Sequence, residues 1–401
     1  MRNINIYPNN ADSSKTVTIL GSTGTIGRNT IKFIQHHPEK FLVDAITANE
    51  NVELLIEQAK LLRPKLAVIN NEQHYEQLKT ALQGSGIKSA AGKQAVTDAA
   101  KTNSDITMSA IVGASCLEPT LAAIKNGKTI ALANKESLIC AGELMNNEAK
   151  KHNTKIIPVD SEHNAIFQLL PERADLNESL KYVRKITLTA SGGPFRKFSL
   201  KEMENITPKQ AIKHPNWNMG AKISVDSATM MNKGLELIEA FYLFPVKPEQ
   251  LDILVHPQSI IHALIELTDN SVLAQMSTPD MCVPIANALA WPQRMESTAS
   301  RLNLAEIGKL DFEPPDSDRF PALRIAREVL KKGGSAPTIL NAANEIAVTN
   351  FLKERIKFLD ISRIVEKTLE HVYNSPPTSI EEVMECDRIA RSYSNKLIDN
   401  Q

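Results

Sequence analysis

Thr16-Val-Thr-Ile-Leu20 runs directly into Gly21-Ser-Thr-Gly24-Thr-Ile-Gly27, and Thr25–His37 then carries helical apolar spacing. A β-branched run, a glycine turn and a helix in that order form one βα unit. Glycines let a backbone come close to a pyrophosphate, and the helix N-terminus adds unsatisfied N–H groups and the positive end of a dipole. The spacing is GxxGxxG rather than GxGxxG, so the stretch reads either as a dinucleotide cradle or as a plain tight turn. Its place as the first turn in the chain, between strand and helix, favours the cradle. The second strand ends at Ala45-Ile-Thr-Ala-Asn49, and Asp44 lies inside the run rather than at its tip. The missing acid at the tip favours a 2′-phosphate, hence NADP. Glu50 is an awkward neighbour for that phosphate, with no Arg or Lys beside it.

Outward from this unit, strand patterns recur at Leu42–Thr47, Leu66–Ile69, Ile106–Ile111, Thr129–Leu132 and Lys155–Val159. Helical stretches such as Val52–Leu62 separate them, and Pro38 and Pro64 stand where helices stop. The alternation predicts an α/β domain over residues 1–160, an N-terminal Rossmann-like doubly wound parallel sheet. After about residue 160 the pattern becomes α+β, with β-type runs at Leu251–Val255, Ile260–Leu267 and Ser271–Met276. Within it, Ser191–Gly220 is rich in Gly, Pro, Lys and Asn around one Trp, a candidate lid or flap near 191–221. This second domain extends over 161–291. A connector over 292–320 and a C-terminal helical domain over 321–401 follow, the helices parted by Gly333-Gly334 and Pro376-Pro377.

The chain has 401 residues, too long for one core. Lys plus Arg equals Asp plus Glu at 46 each, so no global field draws in nucleic acid or an anionic membrane. Cys116, Cys140, Cys282 and Cys386 form no CxxC pair and no disulfide framework. The N-terminus, MRNINIYPNNADSSK, lacks the apolar region of a secretory signal, and no apolar run approaches a membrane span. A cytoplasmic protein is expected.

Two acidic stretches carry the chemistry. Val159-Asp160-Ser161-Glu162-His163 follows an apolar strand. If the chain stays extended, Asp160 and Glu162 point the same way and suit one hard cation; alternatively they cap and open a helix. Ser224-Val-Asp-Ser227-Ala-Thr-Met-Met-Asn232-Lys233-Gly-Leu-Glu236 leads into a helix through Phe244, with Asn232, Lys233 and Glu236 on neighbouring positions of one face. A solvated Lys–Glu pair is the plain reading. The apolar neighbours Met230, Met231 and Leu235, and the Ser, Asn and Lys at a helix start, suit a phosphate better. Glu236 would then complete a three-carboxylate site with Asp160 and Glu162, whose oxygen ligands fit Mg²⁺ or Mn²⁺.

Ser191-Gly192-Gly193-Pro194 and Ala133-Asn134-Lys135-Glu136 both follow strands, where ligands bind or ordinary turns form. His214, Trp217, Met219 and Gly220 fall in the flap, as a cover for substrate or as a packing anchor. His256 and His262 lie on β-type runs and read as structural. Two rival functions remain open on these residues. A dehydrogenase acting on a semialdehyde would use Cys116 as its nucleophile. A non-catalytic dinucleotide sensor would bind NADPH without oxidising it. Neither has a use for Asp160, Glu162 and Glu236.

These stretches converge on one family. GSTGTIG at 21–27, ALANKESL at 131–138, VDSEHNAIFQLL at 159–170, TASGGPF at 189–195, HPNWNMG at 214–220 and KISVDSATMMNKGLELIEA at 222–240 resemble, in order, the signature stretches of the 1-deoxy-D-xylulose 5-phosphate reductoisomerases; VHPQSIIHALIE at 255–266 and LNAANEIAV at 340–348 do too. The resemblance implies a V-shaped homodimer with a coenzyme domain, a catalytic and dimerisation domain bearing the flap, and a helical C-terminal domain. It implies a metal held by Asp160, Glu162 and Glu236. Ser191, Ser227, Asn232 and Lys233 would hold the substrate phosphate, with His214 closing from the flap. Lys135 and Ser161 would contact substrate oxygens, and Trp217 and Met219 would cover them. Thr23, Gly24, Thr25, Ile26, Asn51, Asn134, Glu136 and Gly220 would line the NADPH site. The implied reaction rearranges the deoxyxylulose phosphate by retro-aldol and aldol steps on the metal, then reduces the aldehyde with NADPH to 2-C-methyl-D-erythritol 4-phosphate. Phosphonohydroxamates such as fosmidomycin would inhibit by chelating the same metal.

Overall fold

A computed structural model describes residues 14–170, 180–217 and 219–400. The reading of the N-terminus lies almost wholly outside the described residues. Two compact units are present: residues up to 134 with 148–160 and 281–299, and residues 135–147 with 161–280 and 300 onward.

The first unit is a seven-stranded parallel sheet. Its strands are β1 (Lys15–Leu20), β2 (Phe41–Ala48), β3 (Leu66–Ile69), β4 (Lys88–Ala91), β5 (Ile106–Ser109), β6 (Thr129–Leu132) and β7 (Lys155–Pro158). Their order is β4-β3-β2-β1-β5-β6-β7. Helices α1 (Thr25–His36), α2 (Val52–Leu62), α3 (Tyr75–Leu82), α4 (Lys93–Ala100), α5 (Leu117–Ile124) and α6 (Lys135–His152) alternate with the strands. The central strands read as continuous apolar runs because both faces are covered: Val17, Ile19, Ile46 and Met108 are buried. The order reverses between β1 and β5, so the crevice beyond their C-terminal ends is the expected ligand position. β4 carries no apolar run. Its Lys88-Ser-Ala-Ala91 is recruited as an edge by backbone pairing to β3. The helix Cys282–Ala290 also belongs to this unit and packs on α1, β6 and β7.

The second unit is built on a four-stranded sheet of β8 (Val183–Ala190), β9 (Leu251–Val255), β10 (Ile261–Leu267) and β11 (Val272–Met276), ordered β11-β10-β8-β9. β8 and β9 are parallel; β10 runs antiparallel to both of its neighbours. Helix α7 (Ser161–Leu169) packs on β8, β10 and β11. The stretch from Ser224 read as leading into one helix through Phe244 holds two, α8 (Ala221–Ala228) before the turn and α9 (Met231–Leu243) after it. They break at Met230, a non-glycine residue with φ +63°. Such a conformation persists only where packing enforces it, and Met230 is buried in the main core. The longer helices α10 (Ala322–Lys332), α11 (Ala336–Leu352), α12 (Asp360–His371) and α13 (Ile380–Asp399) follow. Buried Ala322, Leu323, Ile325, Ala326, Val329 and Leu330 form one stripe at helical spacing on α10. That stripe meets Met231, Leu235 and Ile238 of α9. At their crossing stands Gly234, where a Cβ would lie 2.9 Å from the Ala326 Cβ.

Candidate functional site

The glycine turn is shaped by three different demands. Gly21 has φ +84°, and a Cβ there would lie 2.7 Å from the Ala110 carbonyl oxygen beyond β5. Gly27 has no such torsion, yet its Cβ would meet the Gly21 oxygen at 2.4 Å. The first glycine makes the turn and the last lets α1 sit on it. Gly24 caps α1 in extended conformation without a side-chain bond and, with Thr25, is exposed. The free N–H groups of the first turn of α1 therefore face outward at the switch of strand order. Beneath them Ser22 Oγ donates to Gln58 Oε1 at 2.7 Å, pinning the turn to α2. Asn51 caps α2, its Oδ1 accepting from Leu54 N at 3.0 Å.

Asn134 closes the same strand edge. Its amide donates to the Ile111 carbonyl, and Cys116 Sγ donates to Asn134 Oδ1 at 2.7 Å. Cys116 is wholly buried in a short 3₁₀ turn, so it is built as a packing and donor group and not as an accessible nucleophile.

The carboxylates converge through a helix start rather than an extended chain. β7 ends at Pro158, and α7 begins at Ser161 with Glu162 in its first turn. Asp160, Glu162 and Glu236 each offer an oxygen, and these oxygens lie within 4.8 Å of one another. The plain reading of the triplet and the metal reading are thus the same geometry: acids at a helix N-terminus, stabilised by its dipole, turned toward a third acid. Glu236 is 1 % exposed. Its carboxylate accepts from Asn232 and from the Lys233 ammonium, and Lys135 Nζ stands 3.4 Å away. Lys233 also reaches Glu162 Oε1 at 2.9 Å, and Lys135 donates to Asn232 Oδ1 at 2.9 Å. Burial works against the charge of Lys233, but Glu162 and Glu236 outweigh it and hold its pKa above the usual lysine value. Ser161 donates to Glu162 Oε2 at 2.5 Å.

Sequence reasoning missed a second layer. His163 and Glu239 are 0 % and 1 % exposed, and His163 Nδ1 lies 3.3 Å from Glu239 Oε2. His163 Nε2 donates to the Glu236 backbone carbonyl at 2.8 Å, which ties α7 to α9 directly below the acids. With Asp160 they form an alternative ligand group. Its mixed imidazole and carboxylate set is softer than the three-carboxylate set, which is the better match to a hard divalent cation. The signal for Glu239 was its spacing: three residues beyond Glu236, it shares that helix face.

Ser191 and Ser227 come together through glycine. Gly193 has φ +69°, and a Cβ there would lie 2.6 Å from the Ser227 carbonyl oxygen. The Ser191-Gly192-Gly193 turn therefore packs on the end of α8. Ser191 Oγ accepts from Gly193 N at 3.1 Å and from His214 Nε2 at 3.0 Å. His214 Nδ1 accepts from the backbone N–H groups of Asn216 and Trp217 at 3.2 and 3.0 Å. Those two donors fix the tautomer, with the proton on Nε2. Burial pulls the imidazole down to a pKa of about 4, against a smaller upward pull from Glu162, so it is neutral near pH 7. Asn216 Nδ2 donates to the Pro257 carbonyl at 2.6 Å and to Ser259 Oγ at 2.9 Å. The Trp217 ring stands edge-on to His262 at 6.2 Å. The VHPQS stretch thus anchors the segment around Asn216. Met219 is half-buried, while Gly220 is exposed and opens α8. Glu136, on the first turn of α6, is buried, with Lys222 Nζ 4.0 Å away.

Fold and site together define a class: a doubly wound dinucleotide fold joined to an α+β unit that concentrates carboxylates, two lysines and a serine-lined turn. Family profiles agree. The profile described as 1-deoxy-D-xylulose 5-phosphate reductoisomerase matches residues 17–142, that of its C-terminal domain matches 156–244, and that of the DXP reductoisomerase C-terminal domain matches 276–393. The 1-deoxy-D-xylulose 5-phosphate reductoisomerase of Zymomonas mobilis is 52 % identical over 386 residues, 96 % of this chain and 98 % of that protein. The solved structure of the Zymomonas mobilis enzyme in complex with NADPH superposes with a TM-score of 0.92 at 51 % identity, covering 97 % of this chain and 100 % of that one. A DOX-P reductoisomerase solved with NADPH, fosmidomycin and magnesium gives 0.90 at 41 % identity, with 96 % and 98 % covered. The chain belongs to the 1-deoxy-D-xylulose 5-phosphate reductoisomerase family.

Proposed function

We propose that this chain converts 1-deoxy-D-xylulose 5-phosphate to 2-C-methyl-D-erythritol 4-phosphate with NADPH and Mg²⁺ or Mn²⁺, in the non-mevalonate route to isoprenoid precursors. The carrying observation is the meeting of Asp160, Glu162 and Glu236 within 4.8 Å. Three carboxylates and the two ammonium groups of Lys135 and Lys233 leave one excess negative charge; a divalent cation turns it into one positive charge, the right sign for a phosphorylated sugar. The donor set fits a hard cation, with all three acids as its ligands, and such a cation would polarise adjacent carbonyl and hydroxyl oxygens of the substrate.

The chain's own residues do the rest of the work. Glu162 and Glu236 are held in place by Lys233, Asn232 and Ser161, so the ligand geometry is set in advance. Lys135 and Ser161 stand where substrate oxygens would meet the acids. Ser191, Ser227, Asn232 and Lys233 receive the phosphate, and neutral His214 donates from the flap through Nε2. Trp217 and Met219 exclude water, and phosphate affinity is used to close the flap over the reacting carbons. Thr23, Gly24, Thr25 and Ile26 would cradle NADPH, which would supply the hydride, with Asn51, Asn134, Glu136 and Gly220 completing its site. Residues 1–160, with the helix Cys282–Ala290 packed on their sheet, act as the coenzyme domain, the rest of 161–291 as the catalytic domain with its flap at 191–221, 292–320 as the linker and 321–401 as the helical terminus.

The working unit is a homodimer. β11 is an edge strand whose Val272 and Leu273 are 56 % and 42 % exposed, a surface that suits pairing with a second copy. None of the four cysteines is in a disulfide, which fits a reducing cytoplasm. Among the described residues no helix is long and apolar enough to cross a membrane. The decisive experiment follows NADPH consumption with deoxyxylulose phosphate, with EDTA and with added Mn²⁺. Turnover that EDTA abolishes and Mn²⁺ restores is the expected result; turnover indifferent to chelation defeats the metal assignment.

A further inference from the structure

One strand away from the glycine turn, the C-terminal tip of β2 has an unusual composition for an NADP enzyme. β2 ends at Ala48, and Asn49, Glu50 and Asn51 stand at its tip. In doubly wound folds the adenosine ribose lies against this tip, where an acid accepts from the free 2′-hydroxyl and a cation accommodates a 2′-phosphate. β3 ends alongside, Ala48 paired with Ile69. Asn70 Nδ2 donates to Asn49 Oδ1 at 2.8 Å, and Asn71 Nδ2 donates to Glu50 Oε2 at 2.7 Å. His74 Nε2 lies 3.6 Å from that same oxygen. Residues 49–51 and 70–74 contain no Lys or Arg, so His74 is their one basic side chain, and it faces a carboxylate.

The carboxylate is held there by a rigid frame. Asn71 Oδ1 accepts from Gln73 N at 3.0 Å, which leaves its amide directed at Glu50. Asn71 N donates to the Asn49 carbonyl at 3.0 Å, and Val52 N donates to the Glu50 carbonyl at 2.8 Å. Glu50 remains 62 % exposed, open to a ligand.

We propose that Glu50 is a coenzyme-specificity residue that weakens discrimination between NADPH and NADH, so that this chain also reduces its substrate with NADH. Its carboxylate accepts from an unphosphorylated ribose and repels the 2′-phosphate. His74 and the surrounding amides make up part of the difference for NADPH. The inference rests on the coenzyme site proposed above.

The test measures kcat/KM with NADPH and with NADH on deoxyxylulose phosphate and Mn²⁺, and the dissociation constant of each coenzyme by nicotinamide fluorescence. The proteins are wild type, Glu50→Gln and Glu50→Lys. One exposed charge beside a phosphate is worth about tenfold, so Glu50→Gln raises the NADPH-to-NADH ratio by about that factor and Glu50→Lys raises it further. The change falls on KM and the dissociation constants, with kcat and the thermal midpoint unchanged. An unchanged ratio in both variants, or an equal loss with both coenzymes, overturns the proposal. If neither coenzyme is consumed by any form, the catalytic reading has failed, and the ratio of dissociation constants still decides the role of Glu50.

Discussion

At the scale of single residues, charge and donor count decide what each group can do. Glu236 is buried and gathers donors from Asn232, Lys233 and Lys135, so its role depends on its full negative charge. Glu236→Gln keeps the shape and removes that charge. Turnover should fall at least about 10²–10³-fold, while the NADPH dissociation constant moves little. Comparable activity in steady-state assays would remove the metal reading. His214 makes a different point, about pH. Its pKa of about 4 lies below the ordinary value of 6.5, so the folded protein prefers the neutral ring. Protonation would place a proton on Nδ1 against the N–H groups of Asn216 and Trp217. The contribution of this histidine is therefore complete above pH 6.5 and is lost progressively as pH falls toward 4. KM for the sugar phosphate reads the folded protein, so it should stay flat from pH 9 down to about 5 as far as this group is concerned and rise as pH approaches 4. In His214→Phe it should be raised roughly tenfold or more at pH 7.5, with the extra acid-side rise gone.

Elements place these residues, and here close approaches matter more than propensity. A Gly27→Ala variant pushes a methyl group into the Gly21 carbonyl, with backbone on both sides and no side chain to yield. We expect a loss of about 1–3 kcal/mol in thermal or denaturant unfolding, and weaker NADPH binding by titration. The end of α8 that carries Ser227, a proposed phosphate residue, depends on a buried network. Asp226, 1 % exposed, receives Lys222 at 2.8 Å and the Asn344 amide of α11 at 2.8 Å. Asn344→Ala should cost about 1.5–3 kcal/mol of stability and raise KM for the sugar phosphate more than KM for NADPH, because α8 carries Ser227. The strands and helices around the glycine turn were legible, since a sheet covered on both faces writes itself as unbroken apolar runs. β4 was not, because its pairing is made by backbone. The placement of Cys282–Ala290 against α1 was not legible either, because nothing local distinguishes it from any buried helix. In the site, Asp160, Glu162 and Glu236 could be read from chemistry and spacing. The pairing of His163 with Glu239 could not, since it depends on how α7 crosses α9, although spacing alone puts Glu239 on the face of Glu236. The break at Met230 escaped notice because no glycine marks it.

At the scale of the whole molecule, a formal charge of zero leaves no long-range repulsion to keep copies apart, and among the described residues β11 ends the second sheet with no further strand paired to it. Natural edge strands are protected by Pro, Lys or a bulge. β11 reads Val-Leu-Ala-Gln-Met, with its first three residues exposed. An isologous contact, β11 against β11 about a twofold axis, would bury Val272 and Leu273 from both copies at once and continue the sheet. Because each substitution is then present twice at the contact, a charge introduced there meets its own copy. Leu273→Lys, paired at Ile265 on the β10 side within its own chain, should leave the sheet intact and separate the copies. Sedimentation or light scattering should show two copies for the wild type and one for Leu273→Lys, with the secondary-structure signal unchanged. α7 also packs on β11 and carries Glu162, so losing the partner should loosen the proposed metal ligands, and activity should become dependent on protein concentration. A Leu273→Lys protein that stays dimeric places the interface elsewhere.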